Sequence, residues 1–307
     1  MKIALIGCGA MGSLYGGYLS KVHEVTVCDT SKALIDAVNE KGIIMEELNG
    51  ETVVFKPTCA TTDSSTVGVQ DLVITFVNYR FLEGALIQAK GMVGPNTIVL
   101  SLQNGMGNYD EIAKVIPEEQ ICCGTTAHGC IALEPGHVRH TGVGITAMGT
   151  IKGKHSDVER VAEALRLAGF EVEVKESVME VIWHKLFANI AINAITAILE
   201  QPNAVVAENE CAHEVAVKLV KEAVAVANAT GCCFNAEAEL KNAFDIAIAT
   251  GQNRSSMLQC VETKRPTEIA IINGAVCRIG HELGIETPYN DMIVKLMEAK
   301  TSLYLTK

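Results

Sequence analysis

A short apolar run, Lys2-Ile3-Ala4-Leu5-Ile6, leads directly into Gly7-Cys8-Gly9-Ala10-Met11-Gly12, and a helical pattern follows through Tyr15, Tyr18 and Leu19. A strand that turns this sharply into a helix leaves few choices of architecture. The first glycine permits the tight turn. The second lets another molecule approach the backbone, and the third lets helix and strand pack closely. The N–H groups of the helix's first turn, with its dipole, make that end a seat for phosphate. Gly7, Cys8, Gly9, Ala10, Met11 and Gly12 are therefore expected to hold the pyrophosphate of a dinucleotide, at the first βα turn of a doubly wound parallel sheet.

The second strand, Glu24 to Cys28, ends at Asp29, 20 residues after Gly9. A carboxylate there suits the adenosine ribose hydroxyls of NAD and repels the 2′-phosphate of NADP. Alternatively, Asp29 caps a helix starting near Ser31, and Thr30, Ser31 and Lys32 cradle a 2′-phosphate. Both coenzymes stay open on these residues.

Strand-like and helical stretches then alternate. Two β-like pieces in 43–62 flank the turn signal Asn49-Gly50. Strands are expected at 71–77, 97–102 and 120–126, with helix near 81–90. A β-rich stretch spans 129–149, helix 156–168 and a last strand 170–175. The strand at 97–102 runs into Gln103-Asn104-Gly105-Met106-Gly107, a polar glycine-rich turn where open α/β sheets place ligands. Asn104 is therefore a site candidate, with a simple turn residue as the alternative. From about Ser177 onward the pattern is helical: 179–199, 211–230, 236–250, 266–284 and 288–303. The expected fold is α/β, with a Rossmann-type doubly wound domain over 1–176 and an all-α domain over 177–307. A length of 307 residues suits two domains of ordinary size.

The helix at 179–199 is apolar on nearly every side, yet Lys185, Asn189 and Asn193 recur at i, i+4 and i+8, on one face. Burying a neutral amide without a partner costs about 1–3 kcal/mol, and a charge costs more. Bonds to neighbouring backbone would satisfy one Asn. Three aligned polar groups point instead to a wet or ligand-filled cleft. Both Asn residues interrupt the apolar run that a membrane span would need. A second polar cluster runs from Arg254-Ser255-Ser256 to Arg265-Pro266-Thr267-Glu268. Pro266 suits a first helical turn and Glu268 the N-terminal end of that helix, as a cap or as a site residue. Ser256 reads as a cap or a ligand contact.

The net charge of −11 argues against nucleic acid or an anionic membrane as partner. Eleven cysteines without a secretory segment or a Cys-x-x-Cys spacing are expected to be reduced thiols of a cytoplasmic protein, with no metal site. His137-Val138-Arg139-His140 reads as a turn feeding a strand.

Five blocks together resemble the ketopantoate reductases (2-dehydropantoate 2-reductases) over essentially the whole chain. They are Gly7 to Gly12; Asn104-Gly105-Met106-Gly107; Gly124-Thr125-Thr126-Ala127-His128; Trp183-His184-Lys185-Leu186 through Asn189 and Asn193-Ala194-Ile195-Thr196; and Ser255 to Gln259 with Arg265 to Glu268 and Ile272-Asn273-Gly274. The glycine loop alone fits many dehydrogenases, whereas the last two blocks in this order are specific. The resemblance implies reduction of the ketone of 2-dehydropantoate with NADPH, in coenzyme A biosynthesis. By matching position, Lys185 is the implied proton donor. Asn104 is the implied contact to coenzyme and substrate, and Asn189, Asn193, Asn203 and Ser256 are implied substrate contacts. Glu268 and the backbone of Cys130 are implied coenzyme contacts.

Two departures fall on the coenzyme side. The family's usual Arg after the second strand is replaced by Asp29-Thr30-Ser31-Lys32, and its Val-Lys-Ala by Phe76-Val77-Asn78-Tyr79-Arg80. They leave NAD(H) open beside NADP(H).

A ketone that accepts a hydride becomes an alkoxide, which needs a proton and nearby positive charge. A Lys supplies both, and burial would lower its pKa while Glu268 opposed that shift. The glycine loop and the Lys helix belong to different halves, so the cleft is expected between them. Two other readings remain: a related NAD(P)-dependent dehydrogenase acting on another 2-oxo or 3-hydroxy acid, and a dinucleotide-binding sensor without turnover. The partner expected is a small 2-oxo acid, and pairing of two copies through the helical half stays open.

Overall fold

The computed structural model describes residues 1–305 and forms two compact units. The first comprises Met1–Gln103 and Asn108–Val181; the second comprises Asn104–Gly107 and Ile182–Lys307. The division runs inside a helix, and it assigns the four-residue turn after Gln103 to the second unit.

In the first unit the elements run β1 (Lys2–Ile6), α1 (Ala10–Leu19), β2 (Glu24–Cys28), α2 (Lys32–Lys41), β3 (Ile43–Glu46), β4 (Thr52–Phe55), β5 (Cys59–Thr61), β6 (Gln70–Thr75), α3 (Tyr79–Gln88) and β7 (Val93–Ser101). After the Asn104–Gly107 turn come α4 (Asn108–Ala113), β8 (Ile121–Thr126), β9 (Gly129–Glu134), β10 (His137–Gly142), β11 (Thr146–Gly149), α5 (His155–Leu167) and β12 (Val172–Val174). Eight strands form one sheet in the order β12-β11-β8-β7-β6-β1-β2-β5. All neighbours are parallel except β11 with β8. Its strands are buried on both faces, as a sheet covered by helices requires; Ile3, Leu5, Leu72, Ile74 and Leu100 are enclosed on one face, and Ala4, Val73 and Val99 on the other. β1 pairs with β2 on one side and β6 on the other, so the chain reverses direction of progress across the sheet there. That switch point is where open α/β sheets hold ligands.

The region 43–62 holds three short strands. β3 and β4 pair around the Asn49-Gly50 turn, where Gly50 takes φ +84°, and β5 leaves to extend the main sheet beside β2. β3 and β4 join β10 and β9 in a second, four-stranded sheet. Aromatic packing of Tyr15 on Phe170, with ring centroids 4.3 Å apart, lies within the larger apolar core of this unit.

The second unit is helical: α6 (Val178–Leu199, whose first turn belongs to the first unit), α7 (Val205–Glu208), α8 (Glu210–Ala229), α9 (Ala236–Ala249), α10 (Ser256–Glu262), α11 (Asn273–Leu283) and α12 (Pro288–Leu305). By length and composition α6 could cross a membrane, yet most of it is buried inside the protein. Trp183, Phe187, Ile190 and Ala194 supply its enclosed faces. The continuous helix expected over 266–284 is not formed. Pro266 and Thr267 lie in no helix or strand, Glu268 caps a 3-10 turn at Ile269–Ile271, and the helix starts only at Asn273. Ile272 between them sits at φ −103°, ψ −94°, which no helix accepts.

Candidate active site

Two clusters of candidate residues form, one in each unit. In the first unit Gly7 takes φ +92°, and a Cβ on it would lie 2.7 Å from the Val77 nitrogen. A Cβ on Gly12 would collide with the Gly7 carbonyl oxygen, so this position holds helix and strand together. At Gly9 nothing lies within 4 Å of the Cβ direction. Gly9 is also the N-cap of α1 and offers no side chain to the first-turn N–H groups. The loop therefore leaves open space and uncapped donors where a pyrophosphate would come, and these residues fit a dinucleotide. Cys8 is enclosed; its N–H donates to Asp29 Oδ2 at 2.8 Å, and its carbonyl accepts the Ser13 hydroxyl at 2.9 Å. Burial pushes the Cys8 thiol up to about 12, so it has no nucleophilic character.

Asp29 is not the cap of α2. Ser31 fills that position, its hydroxyl accepting the Leu34 N–H, while Asp29 Oδ1 accepts the Ser31 N–H at 2.8 Å. A cavity of about 620 Å³ is lined by Gly7, Gly9, Asp29, Thr30, Thr62, Ser64, Val77, Asn78, Arg80 and Phe81, among others. That volume is of the size that holds a large ligand. Arg80 is the one cation among the described residues that line it. No local pattern singles out Arg80, because only the fold brings the start of α3 beside Asp29's loop. Cys130, second residue of β9, pairs in register with His140 and is not among the residues lining this cavity. Burial raises its thiol to about 12. Among the described residues no group of three His, Cys, Asp or Glu is placed to hold a metal ion.

In the second unit Lys185, Asn189 and Asn193 follow one another along α6, from half-buried Lys185 and Asn189 to Asn193, which is 6% exposed. Lys185 retains some accessible surface, but the protein crowds its ammonium. Burial lowers its pKa to about 8, and the Glu268 carboxylate opposes the shift. Glu268 moves the other way. Burial raises it, while the Lys185 charge and a hydrogen bond from Asn104 hold it down. Asn104 thus meets Glu268 in this unit. Its turn is fixed by the Met106 N–H donating to the Ile271 carbonyl at 2.8 Å. Gly105 is required there, at φ +81°, because a Cβ would come within 2.6 Å of the same carbonyl.

Ser256 is the exposed first residue of α10, and the cap is its neighbour Ser255. The Ser255 hydroxyl accepts the Leu258 N–H at 3.1 Å and lies 2.7 Å from the Thr196 hydroxyl, which fastens the start of α10 to α6 one turn beyond Asn193. Asn203 is 7% exposed; its amide donates to Thr250 Oγ1 at 2.9 Å, and its N–H to the Asn253 carbonyl at 3.0 Å. Its Oδ1 is buried with no hydrogen-bond partner among the described residues. Such an acceptor is costly unless a ligand or water meets it.

A glycine loop at the switch point of a parallel sheet, with a buried lysine of lowered pKa on a polar helix face, defines an oxidoreductase that uses a dinucleotide coenzyme. The sequence profile described as "Ketopantoate reductase PanE/ApbA" matches residues 3–153, and its C-terminal counterpart matches 177–301. A 2-dehydropantoate 2-reductase from Pyrococcus horikoshii is 35% identical, over 99% of this chain and 98% of that one. Two solved structures superpose over 99% of both chains at 29% identity. One is a ternary structure of D-mandelate dehydrogenase with NADH and anilino(oxo)acetate, TM-score 0.94. The other is a PanE/ApbA family ketopantoate reductase from Ralstonia eutropha, TM-score 0.89. The chain belongs to the ketopantoate reductase family.

Proposed function

We propose that the protein is a 2-dehydropantoate 2-reductase, reducing the ketone of ketopantoate to the alcohol of pantoate, with Lys185 as the proton donor. The observation that carries the mechanism is the lysine itself: it is set on the α6 polar face, lowered to about 8 by burial and sustained by Glu268. Near neutrality such a group is mostly protonated, yet it releases its proton far more readily than an ordinary lysine. Its charge stabilises the developing alkoxide and its proton completes the alcohol. Glu268 favours the charged form of Lys185, and the Asn104 hydrogen bond opposes the burial that raises the Glu268 carboxyl. Asn189 and Asn193 offer donor and acceptor to the substrate's hydroxyl, and Asn203 offers its unpartnered oxygen. Ser256, exposed at the start of α10, suits the substrate carboxylate.

The coenzyme site is the cavity bounded by Gly7, Gly9 and Asp29. Bound there, a reduced nicotinamide coenzyme supplies the hydride. NADH is the favoured form in our reading, since Asp29 is held in place by two backbone N–H groups and would repel a 2′-phosphate. The NADH-bound D-mandelate dehydrogenase of the same fold supports that choice. The test is the oxidation of NADH and NADPH with 2-dehydropantoate, run side by side with an aryl 2-oxo acid. Turnover of ketopantoate with NADH at least equal to NADPH is expected. Turnover of the aryl acid alone would move the protein to another 2-oxo acid, and no oxidation with any acid would make it a sensor.

A further inference from the structure

Gln103 ends the first unit's excursion along β7, and its side chain gathers three neighbours. Oε1 accepts the Thr75 hydroxyl at 2.8 Å and the Ser101 hydroxyl at 2.9 Å, which are the last residues of β6 and β7. Nε2 donates to the carbonyl oxygen of Val77, in the loop that leaves β6. With Oε1 committed to two hydroxyl donors, the amide cannot flip without losing both, so its N–H direction is fixed.

The consequence lies across one peptide plane. The Val77 carbonyl and the Asn78 N–H belong to the same trans peptide and point in opposite directions. Pinning the carbonyl to Gln103 therefore aims the Asn78 N–H the other way. Val77 and Asn78 both line the 620 Å³ cavity beside Gly7 and Gly9. The Asn78 side chain is occupied, its Oδ1 accepting the Arg80 N–H at 3.2 Å as the cap of α3, whereas its backbone N–H meets no acceptor among the described residues. Buried or half-buried backbone donors seldom stay unmatched.

We propose that Gln103 is a positioning residue of the coenzyme site: through the Val77 carbonyl it presents the Asn78 N–H to an acceptor atom of the bound dinucleotide. The bond also fixes Val77 where it abuts Gly7, whose own Cβ position is 2.7 Å from the Val77 nitrogen. This rests on the reading of the cavity as the coenzyme site.

The test is the Kd for NADH and NADPH, read by nicotinamide fluorescence without substrate, with thermal melting as the folding control. Gln103→Ala should melt within a few degrees of wild type and bind either coenzyme about tenfold more weakly, the cost of one lost hydrogen bond. Gln103→Glu separates positioning from simple packing. Its carboxylate would face the Val77 carbonyl, so binding should be weakest near about pH 8. It should recover as the pH falls toward about 6 and the acid form donates again, a trend absent from wild type. If Gln103→Ala does not fold, Thr75→Val removes one anchor of the amide and should weaken binding about threefold. A folded Gln103→Ala or Thr75→Val with wild-type Kd, or a Gln103→Glu with no pH trend of its own, would overturn the role of Gln103 alone. A wild type that binds neither NADH nor NADPH would overturn the coenzyme reading with it.

Discussion

The carboxylate of Asp29 accepts the backbone N–H of Cys8 at 2.8 Å, so the residue that ends β2 is tied to the middle of the glycine loop. Its second oxygen takes the Ser31 N–H. A loop carboxylate held at both oxygens cannot swing aside for a phosphate. Asp29→Asn keeps an acceptor and removes the charge, so it should raise the NADPH-to-NADH ratio of kcat/KM about tenfold, roughly the worth of one like-charge contact near a protein surface. Arg80→Ala should move the ratio the other way by a similar factor, because Arg80 is the one cation among the described residues lining the cavity. Equal losses with both coenzymes would mean that neither residue discriminates.

Gly9 and Gly12 should separate binding from folding. Gly12→Ala places a methyl on the Gly7 carbonyl and should destabilise the protein by more than about 3 kcal/mol, seen as a large drop in Tm. Gly9→Ala meets nothing and should cost less than about 1 kcal/mol. Its methyl would occupy the phosphate's approach and should weaken coenzyme binding at least about tenfold. A Gly9→Ala protein that binds normally would place the pyrophosphate elsewhere.

Lys185→Ala should lower kcat by about 10²–10⁴, the usual range for a general acid, with Kd for the coenzyme nearly unchanged. The wild-type pH profile carries the sign. Reduction uses the protonated amine, so its kcat/KM should be flat at neutral pH and fall above about 8. Oxidation of the alcohol uses the free amine and should rise toward a plateau above the same value. A reduction profile flat to pH 10, or a Lys185→Ala enzyme near wild-type rate, would remove this lysine from the chemistry.

Glu268→Gln tests the coupling between the two groups. The carboxylate raises the Lys185 pKa against burial, so its removal should shift the descending limb of the reduction profile to lower pH. A limb that stays in place would show that Glu268 acts on something other than the lysine.

The alternation of strands and helices, the glycine loop and the α6 stripe are legible because each is a local pattern: residue spacing fixes which side chains share a face. The stretch around Glu268 is not. Pro266 followed by apolar residues looks like a helix start, but the Ile271 carbonyl is taken by the Met106 N–H, and the chain makes a 3-10 turn before α11 begins. No nearby residue announces a partner so distant in sequence. Ser255 and Ser256 are equivalent in sequence, and only the fold decides that the first is the cap, its hydroxyl accepting the Leu258 N–H while it meets Thr196. Gln103 looks like an ordinary turn residue for the same reason, since its partners Thr75 and Val77 lie on another strand's exit.

The Asn104–Gly107 turn counts with the helical unit although its chain neighbours on both sides count with the sheet. The helical half is therefore not a module that could be shuffled intact onto another protein. Cut from the chain at Ile182, it would lose the Met106 N–H that meets Ile271 and the Asn104 amide that meets Glu268. These four residues belong to the helical unit while lying far upstream of it in the chain, so a recombination event that moved the helices would have to carry them along.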